Sequence, residues 1–476
     1  MRQPGSILLL SCYELGRQPL GIAWPMAFLK QAGFEPGALD LAIEHLDLEK
    51  ASRAKLVGIS VPMHTALRLG VQAARRVRAA NPSCHICFFG LYASLNADYL
   101  LSEVADSCIG GEIEEALVSL AQALEEGSSL QAQGVSLRGR LQDPLIQKIT
   151  FTLPERKSLP GLGRYAQLEL NGERRLAGAV EASRGCKHHC LHCPIPPIYG
   201  GRFFIVPKET VLEDVRGLVR AGARHMTFGD PDFLNGPGHS LAIVRSMHEE
   251  FPELTFDFTA KIEHILKEKR FFPELARLGC LFVISAVESL SDVVLSKLRK
   301  GHTRRDVFAA LDILRDAGIA LRPSWVAFTP WTTLEDYLDM LGTIEREALV
   351  DHVDPVQLSI RLLVPPGSSL LTGSDIMSYV QGFDQPNFYH RWSHPDRRMD
   401  DLHEAVSRVV AEAAARQEDA DVTFEAVRLL ALKALGRQEE RTAPRMPADR
   451  RKPPRLTESW FCCAEPTREQ FAPLAV

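Results

Sequence analysis

Glu181-Ala-Ser-Arg-Gly-Cys186-Lys-His-His-Cys190-Leu-His-Cys193-Pro-Ile-Pro196 is the stretch on which the fold reading turns. It follows a short apolar run at Ala179–Ala182 that predicts a strand, and Gly185 lets the backbone turn sharply before the first cysteine. The spacing C-x3-C-x2-C presents three thiols from one loop. A cluster of the [4Fe–4S] type usually takes four cysteines, so three leave one iron open to a small chelating ligand. The alternative is a zinc site completed by His188, His189 or His192. Against it, zinc loops favour a C-x2-C start, and no second cysteine pair follows at finger or ribbon spacing.

Outward from this loop, short apolar runs alternate with helical patterns between about residues 163 and 371. Strands are predicted near Ala179–Ala182, His225–Phe228, Thr255–Ala260, Phe282–Ala286, Leu321–Val326 and Val356–Arg361. Six βα units in succession predict a partial barrel with its site at the carboxyl ends of the strands. Residues 1–130 show the same alternation, with strands at Ser6–Leu10, Leu56–Val61, Ile86–Phe89 and Ser107–Ile109. Continuous apolar strands between helices predict a doubly wound parallel sheet, whose ligands sit at the strand carboxyl ends. The expected fold is therefore α/β throughout. Its divisions are a first sheet domain (1–130), a linker with a little strand (131–162), the partial (β/α)6 barrel (163–375), a helical region (376–440) and a Pro/Arg-rich linker with a Cys-Cys tail (441–476).

The chain has 476 residues, is 45% apolar and 24% charged, and carries a net charge of −5. That is globular composition, with no basic field to mark a nucleic-acid or membrane partner. Ten cysteines are too sparse for a disulfide scaffold. No long apolar span or signal pattern is read, so a cytoplasmic, reducing setting is the expectation, in which clustered cysteines serve metals or catalysis.

The cysteine loop resembles that of the radical S-adenosylmethionine (SAM) enzymes, and the likeness extends over roughly residues 160–375. It implies a [4Fe–4S] cluster on Cys186, Cys190 and Cys193 whose open iron chelates SAM. It also implies a low-potential electron donor such as flavodoxin or ferredoxin. The same resemblance implies cofactor-binding roles for His192, just before the third cysteine, and for Phe228 and Asp230 after the second strand. Glu288 in Ala286-Val-Glu-Ser289, Ser324 on a late strand and Arg361 before Pro365-Pro-Gly-Ser are implied as further SAM contacts.

The first domain resembles the cobalamin-binding domain that precedes many such barrels, through Pro19-Leu-Gly-Ile, Gly58-Ile-Ser60, Phe89-Gly90 and Gly110-Gly-Glu112-Ile-Glu-Glu115. The Asp-x-His-x-x-Gly motif is absent, its loop reading Ser11-Cys-Tyr-Glu14-Leu-Gly16. Cobalamin therefore stays open, a vestigial domain without the cofactor being the slightly preferred alternative.

Near the end stands Trp460-Phe-Cys462-Cys463-Ala-Glu-Pro466. Adjacent Cα atoms lie about 3.8 Å apart, closer than a relaxed disulfide wants. Two neighbouring soft thiolates suit a thiophilic centre such as trivalent arsenic, with Cys280 one candidate for a third thiolate. The segment resembles the tail of the CUAEP/CCAEP radical SAM group, some members of which make the organoarsenical arsinothricin. On that resemblance Cys462 and Cys463 are catalytic, and the expected reaction transfers the 3-amino-3-carboxypropyl group of SAM to arsenite, a small-molecule substrate. The alternatives are a cobalamin-dependent radical SAM methyltransferase and a non-catalytic metalloid-binding protein.

Overall fold

The computed structural model describes residues 1–437, 446, 450–458 and 464–474. Its first sheet contains β1 (Ile7–Ser11), β2 (Gly37–Asp40), β3 (Leu56–Ser60), β4 (His85–Phe89), β5 (Ser107–Ile109) and β6 (Val135–Leu137), in the order β2-β1-β3-β4-β5-β6. β1 to β5 are parallel and β6 closes the edge antiparallel to β5. Both faces are buried, and alternate residues of one strand serve different cores. Leu8, Leu10, Ile59 and Phe88 pack on one side; Ile7, Leu9, Leu56 and Phe89 pack on the other. β2 escapes the sequence reading because Gly-Ala-Leu-Asp offers too little apolar length.

The second sheet begins with a hairpin of β7 (Gln167–Leu170) and β8 (Glu173–Val180). After the short pair β9 (Ser183–Gly185) and β10 (Phe203–Ile205) come β11 (His225–Phe228), β12 (Thr255–Thr259), β13 (Cys280–Glu288) and β14 (Ala320–Trp325). Strands β8, β11, β12, β13 and β14 are parallel and curl as a half-barrel. The sixth predicted strand is reduced. Residues Pro355–Ser359 form a 3-10 turn, and only Phe328 and Arg361 pair as an isolated bridge. The Gln357 side chain accepts the Trp325 amide (3.0 Å), so a side chain stands where a ladder partner would be.

A hairpin, β15 (Val380–Asp384) with β16 (Tyr389–Trp392), leads to helices Arg397–Ala415 and Ala420–Ala434. The last strand, β17 (Arg455–Leu456), adds antiparallel to β7 at the barrel-sheet edge. Where described, the segment read as a linker is ion-paired: Arg450 meets Asp351 at 2.6 Å and Asp419 at 2.7 Å. Further on, Leu474 and Phe471 pack into the core of the first sheet, and the Leu46 amide donates to the Pro473 carbonyl. The chain end thus crosses from the barrel sheet to the first domain. Among the described residues no helix is long and apolar enough to cross a membrane.

Candidate active site at the carboxyl ends of the half-barrel

The cysteine loop leaves β9 at Gly185, whose φ of +79° is open to glycine. A Cβ there would lie 2.5 Å from the Arg202 carbonyl and 2.6 Å from the Tyr199 ring. Gly185→Ala is therefore expected to cost about 1–3 kcal/mol and to lower iron incorporation, checked by thermal melting and iron assay. Retention of both at the native level would show that the turn is relaxed.

Cys186 and Cys190 are buried and Cys193 is half-buried. Burial raises the Cys186 thiol and pushes Cys193 up to about 12; the charges of Cys190 and Cys186 add to the rise at Cys193 and Lys300 opposes it. Three thiols that feel one another's charge suit a centre that takes thiolates and bears compensating positive charge. The donor set fits a three-cysteine [4Fe–4S] cluster. Two of the three histidines that would complete a zinc site face carboxylates instead: His188 Nε2 lies 3.4 Å from Asp232, and His192 Nε2 lies 3.2 Å from Glu288.

Glu288 ends β13 with φ +64°, and its Oε1 also accepts from Lys300 Nζ (3.1 Å). Burial alone would raise this carboxyl, but Lys300 and His192 overcome it and hold Glu288 down to about 2. Glu288 and Lys300 thus form a buried ion pair near Cys193, with His192 hydrogen-bonded to the carboxylate. Asp230 accepts from the Ala182 amide (2.9 Å) and the Ser183 hydroxyl (2.6 Å), tying β11 to the start of the loop. Burial pushes Asp230 up to about 7.

Other predicted contacts sit differently. The Phe228 ring lies within the aromatic core, 4.3 Å from Phe233 between centroids. Ser324 is buried on β14, paired with Ala286. Arg361 is committed to Asp400 (2.8 Å), the Trp392 carbonyl (2.7 Å) and the Trp392 ring (3.6 Å to the centroid). Cys280 begins β13 at its amino end, with Glu288 at the carboxyl end, so it stands away from the loop and supplies no further thiolate there. Cys462 and Cys463 lie outside the described residues.

Several side chains escaped the sequence reading. Asp232 accepts from His264 Nδ1 (2.8 Å) as well as pairing with His188, and Lys261 Nζ lies 3.2 Å from His188 Nδ1. Nothing in composition separates a buried lysine such as Lys300 from a solvated one before its partner is known.

The first domain faces the same region. The loop after β1 reaches the barrel: a Cβ at Gly229 would lie 3.5 Å from Arg17 Nη1. Glu14 in that loop accepts the Gly21 amide (3.0 Å), and burial pushes its carboxyl up to about 8. A cavity of about 300 Å³ lies at this edge, lined by Cys12, Tyr13, Gly16, Leu69, Tyr165 and Glu458 among others.

An α/β half-barrel with a three-cysteine loop at its carboxyl ends defines a cluster-binding class. Residues 180–330 match the family described as the radical SAM superfamily, so this segment of the chain carries the likeness to a radical SAM domain. The chain is similar to the hopanoid C-3 methylase of Methylococcus capsulatus, 25% identical over 335 residues, covering 68% of this chain and 64% of that one. A tRNA-2-methylthio-N(6)-dimethylallyladenosine synthase of Fusobacterium nucleatum is 26% identical, over 35% of this chain and 40% of that one. The chain thus spans less than two thirds of either relative. Among solved structures, the cobalamin-dependent SAM radical enzyme OxsB, with aqua-cobalamin bound, superposes with a TM-score of 0.68. The identity is 14%, with coverage of 90% of this chain and 72% of that one. The radical SAM methyltransferase TsrM from Kitasatospora setae gives 0.59 at 19% identity, over 71% of each chain. At these identities the likeness is one of fold, and at 90% coverage it takes in both the first sheet and the half-barrel of this chain.

Proposed function

We propose that this protein is a radical SAM methyltransferase of the cobalamin-dependent kind, acting on a small molecule held between the first domain and the half-barrel. The observation that carries the reading is the meeting of two carboxyl edges, with Arg17 of the β1 loop against Gly229 of the barrel. The likeness to the hopanoid methylase, and the fold likeness to OxsB over 90% of the chain, support it. This reading replaces the sequence expectation, in which methyl transfer was an alternative and cobalamin was left open.

The residues present fit a corrinoid, in one respect unusually. Burial pushes the Glu14 carboxyl up to about 8, which favours the protonated form that would donate to an amide carbonyl on a corrin rim. Buried Ser11 and Ser60 end the neighbouring strands β1 and β3, and the 300 Å³ cavity is lined by Cys12, Tyr13 and Gly16 of the loop that follows β1. No histidine stands in the loop Ser11–Gly16, so this loop offers cobalt no imidazole. The group supplies, when bound, a carrier that accepts and donates a methyl group. The chain's own residues do the rest. The cysteine loop holds the cluster, Glu288 and Lys300 set a fixed charge pattern beside it, and the buried half-barrel excludes water from a radical.

A second reading keeps the 3-amino-3-carboxypropyl transfer to arsenite. It is supported by where the end of the tail motif is held: the Thr65 hydroxyl donates to the Ala464 carbonyl (2.9 Å), and Glu465 pairs with His64 (3.4 Å) and Arg68. His64 and Thr65 begin the helix after β3, at the carboxyl edge of the first sheet.

Anaerobic turnover with SAM and dithionite, with and without hydroxocobalamin and arsenite, separates the two by mass spectrometry. Methyl transfer predicts cobalamin-dependent S-adenosylhomocysteine and a methylated product; the second predicts methylthioadenosine and an organoarsenical. Product formation indifferent to cobalamin would reject the first. Under the second, Cys462→Ser with Cys463→Ser keeps the brown iron–sulfur absorbance and loses arsenic-dependent product at least about tenfold. Full product from that variant would reject the arsenic clamp.

A further inference from the structure

The turn after β5, Gly110-Gly111-Glu112, belongs to the first domain, yet its carboxylate reaches the cysteine loop. Glu112 is fully buried. The turn itself is over-determined. Gly111 has φ +80°, a Cβ there would lie 2.2 Å from the Leu145 carbonyl oxygen, and the Glu112 amide donates to that same carbonyl (2.7 Å).

The two carboxylate oxygens of Glu112 are divided between two partners. Oε2 accepts from Arg184 Nη1 at 3.0 Å, and Oε1 accepts from the Tyr199 hydroxyl at 2.8 Å. Arg184 precedes Cys186 by two residues, and Tyr199 follows Cys193 by six. One carboxylate of the first domain therefore clasps both ends of the loop that carries the thiols. Each partner is itself fixed. Arg184 is also held by Glu114 (2.6 Å) and Glu181 (3.2 Å), with its guanidinium 5.4 Å from the Trp24 ring centroid and 5.1 Å from that of Phe151. The Tyr199 ring lies against Gly185, and the Arg202 amide donates to the Tyr199 carbonyl.

A buried ion pair of this kind is poor value as stability, because desolvation consumes most of the Coulomb gain; what it adds is a defined geometry. Hydrogen-bonded partners one layer out from a metal's ligands orient those ligands and tune the centre.

We propose that Glu112 is a positioning residue for the cluster, fixing the spacing of the loop ends and coupling the cluster's geometry to the β5 turn of the first domain. The inference rests on the cluster-and-SAM reading of the loop and is independent of which group of SAM is transferred.

The test compares the reconstituted full-length protein with Glu112→Gln, Tyr199→Phe and the double variant. Iron and sulfide content, thermal melting, the electron paramagnetic resonance spectrum of the dithionite-reduced cluster with and without SAM, and SAM cleavage are measured. Expected are native iron content, a shifted and broadened spectrum in both single variants, and SAM cleavage about tenfold lower in Glu112→Gln. The double variant should be no worse than Glu112→Gln alone, because both substitutions break one clasp. Native spectra and cleavage in both single variants overturn the proposal, as does a lower melting temperature with unchanged spectra. Should Glu112→Gln fail to fold, Tyr199→Phe decides, since it removes one hydroxyl and keeps the ring against Gly185. A wild-type protein with neither a reduced-cluster signal nor SAM cleavage would instead bring down the cluster reading beneath it.

Discussion

Cys186→Ala should abolish the brown iron–sulfur absorbance and reduce SAM cleavage to background. The loss should exceed about 100-fold, since loss of a mere outer partner of a metal site already costs 10–100-fold. The reason lies in the number of thiols: a three-cysteine loop has no spare ligand, and the remaining described cysteines are elsewhere. Cys12, Cys84, Cys87 and Cys108 belong to the first domain, and Cys280 sits at the amino end of β13. Cys280→Ala is the matching control. It should cost about 1 kcal/mol of packing while leaving absorbance and cleavage intact. Anaerobic reconstitution followed by ultraviolet–visible spectroscopy and assay of 5′-deoxyadenosine or methylthioadenosine reads both variants. A Cys186→Ala protein that retains full absorbance would mean that the loop does not carry the cluster.

Lys300→Met should be the most destabilising of the single charge removals. Lys300 and Glu288 are both buried, and Lys300 Nζ sits 3.1 Å from Glu288 Oε1. Removing Lys300 strips Glu288 of its buried ammonium and leaves it with the His192 contact (3.2 Å), a loss of about 3–5 kcal/mol, which is a large part of a typical folding stability. Adding Glu288→Gln to Lys300→Met should recover much of it, because the orphaned charge is then gone. The pair also sets a pH dependence. Glu288 is held down to about 2, below its ordinary 4.5, so the folded protein binds its proton less readily than the unfolded chain. Its contribution, on the order of 3 kcal/mol, is complete above about pH 4.5 and drains away as the pH falls towards 2. Thermal melting across that window, in wild type and in Lys300→Met with Glu288→Gln, should show a steeper acid loss for the wild type. Parallel curves would mean that Glu288 is solvated.

The cysteine loop and the order of βα units were legible in the sequence because both are local. Thiol spacing is a property of one loop, and strand and helix periods are read over ten residues. Where the reading stumbled, a long-range contact had decided. Val356–Arg361 has a strand's composition, yet Gln357 caps the Trp325 amide and the segment turns as 3-10. Arg361, which the resemblance implies as a SAM contact, is paired with Asp400 and stacked on Trp392, from the helical region and the hairpin before it. Phe228 is spent on the aromatic core, while Lys300, which no composition rule singles out, stands beside the cysteines.

The sequence by itself determined the three-cysteine loop, the two α/β units and the polarity of their strands, since these follow from spacing and periodicity. Only the tertiary structure decided that Glu288 is neutralised by Lys300 and that Glu112 of one unit clasps the loop of the other. Which charges are buried together depends on how two sheets meet, and desolvation, acting only once they have met, makes those pairings matter.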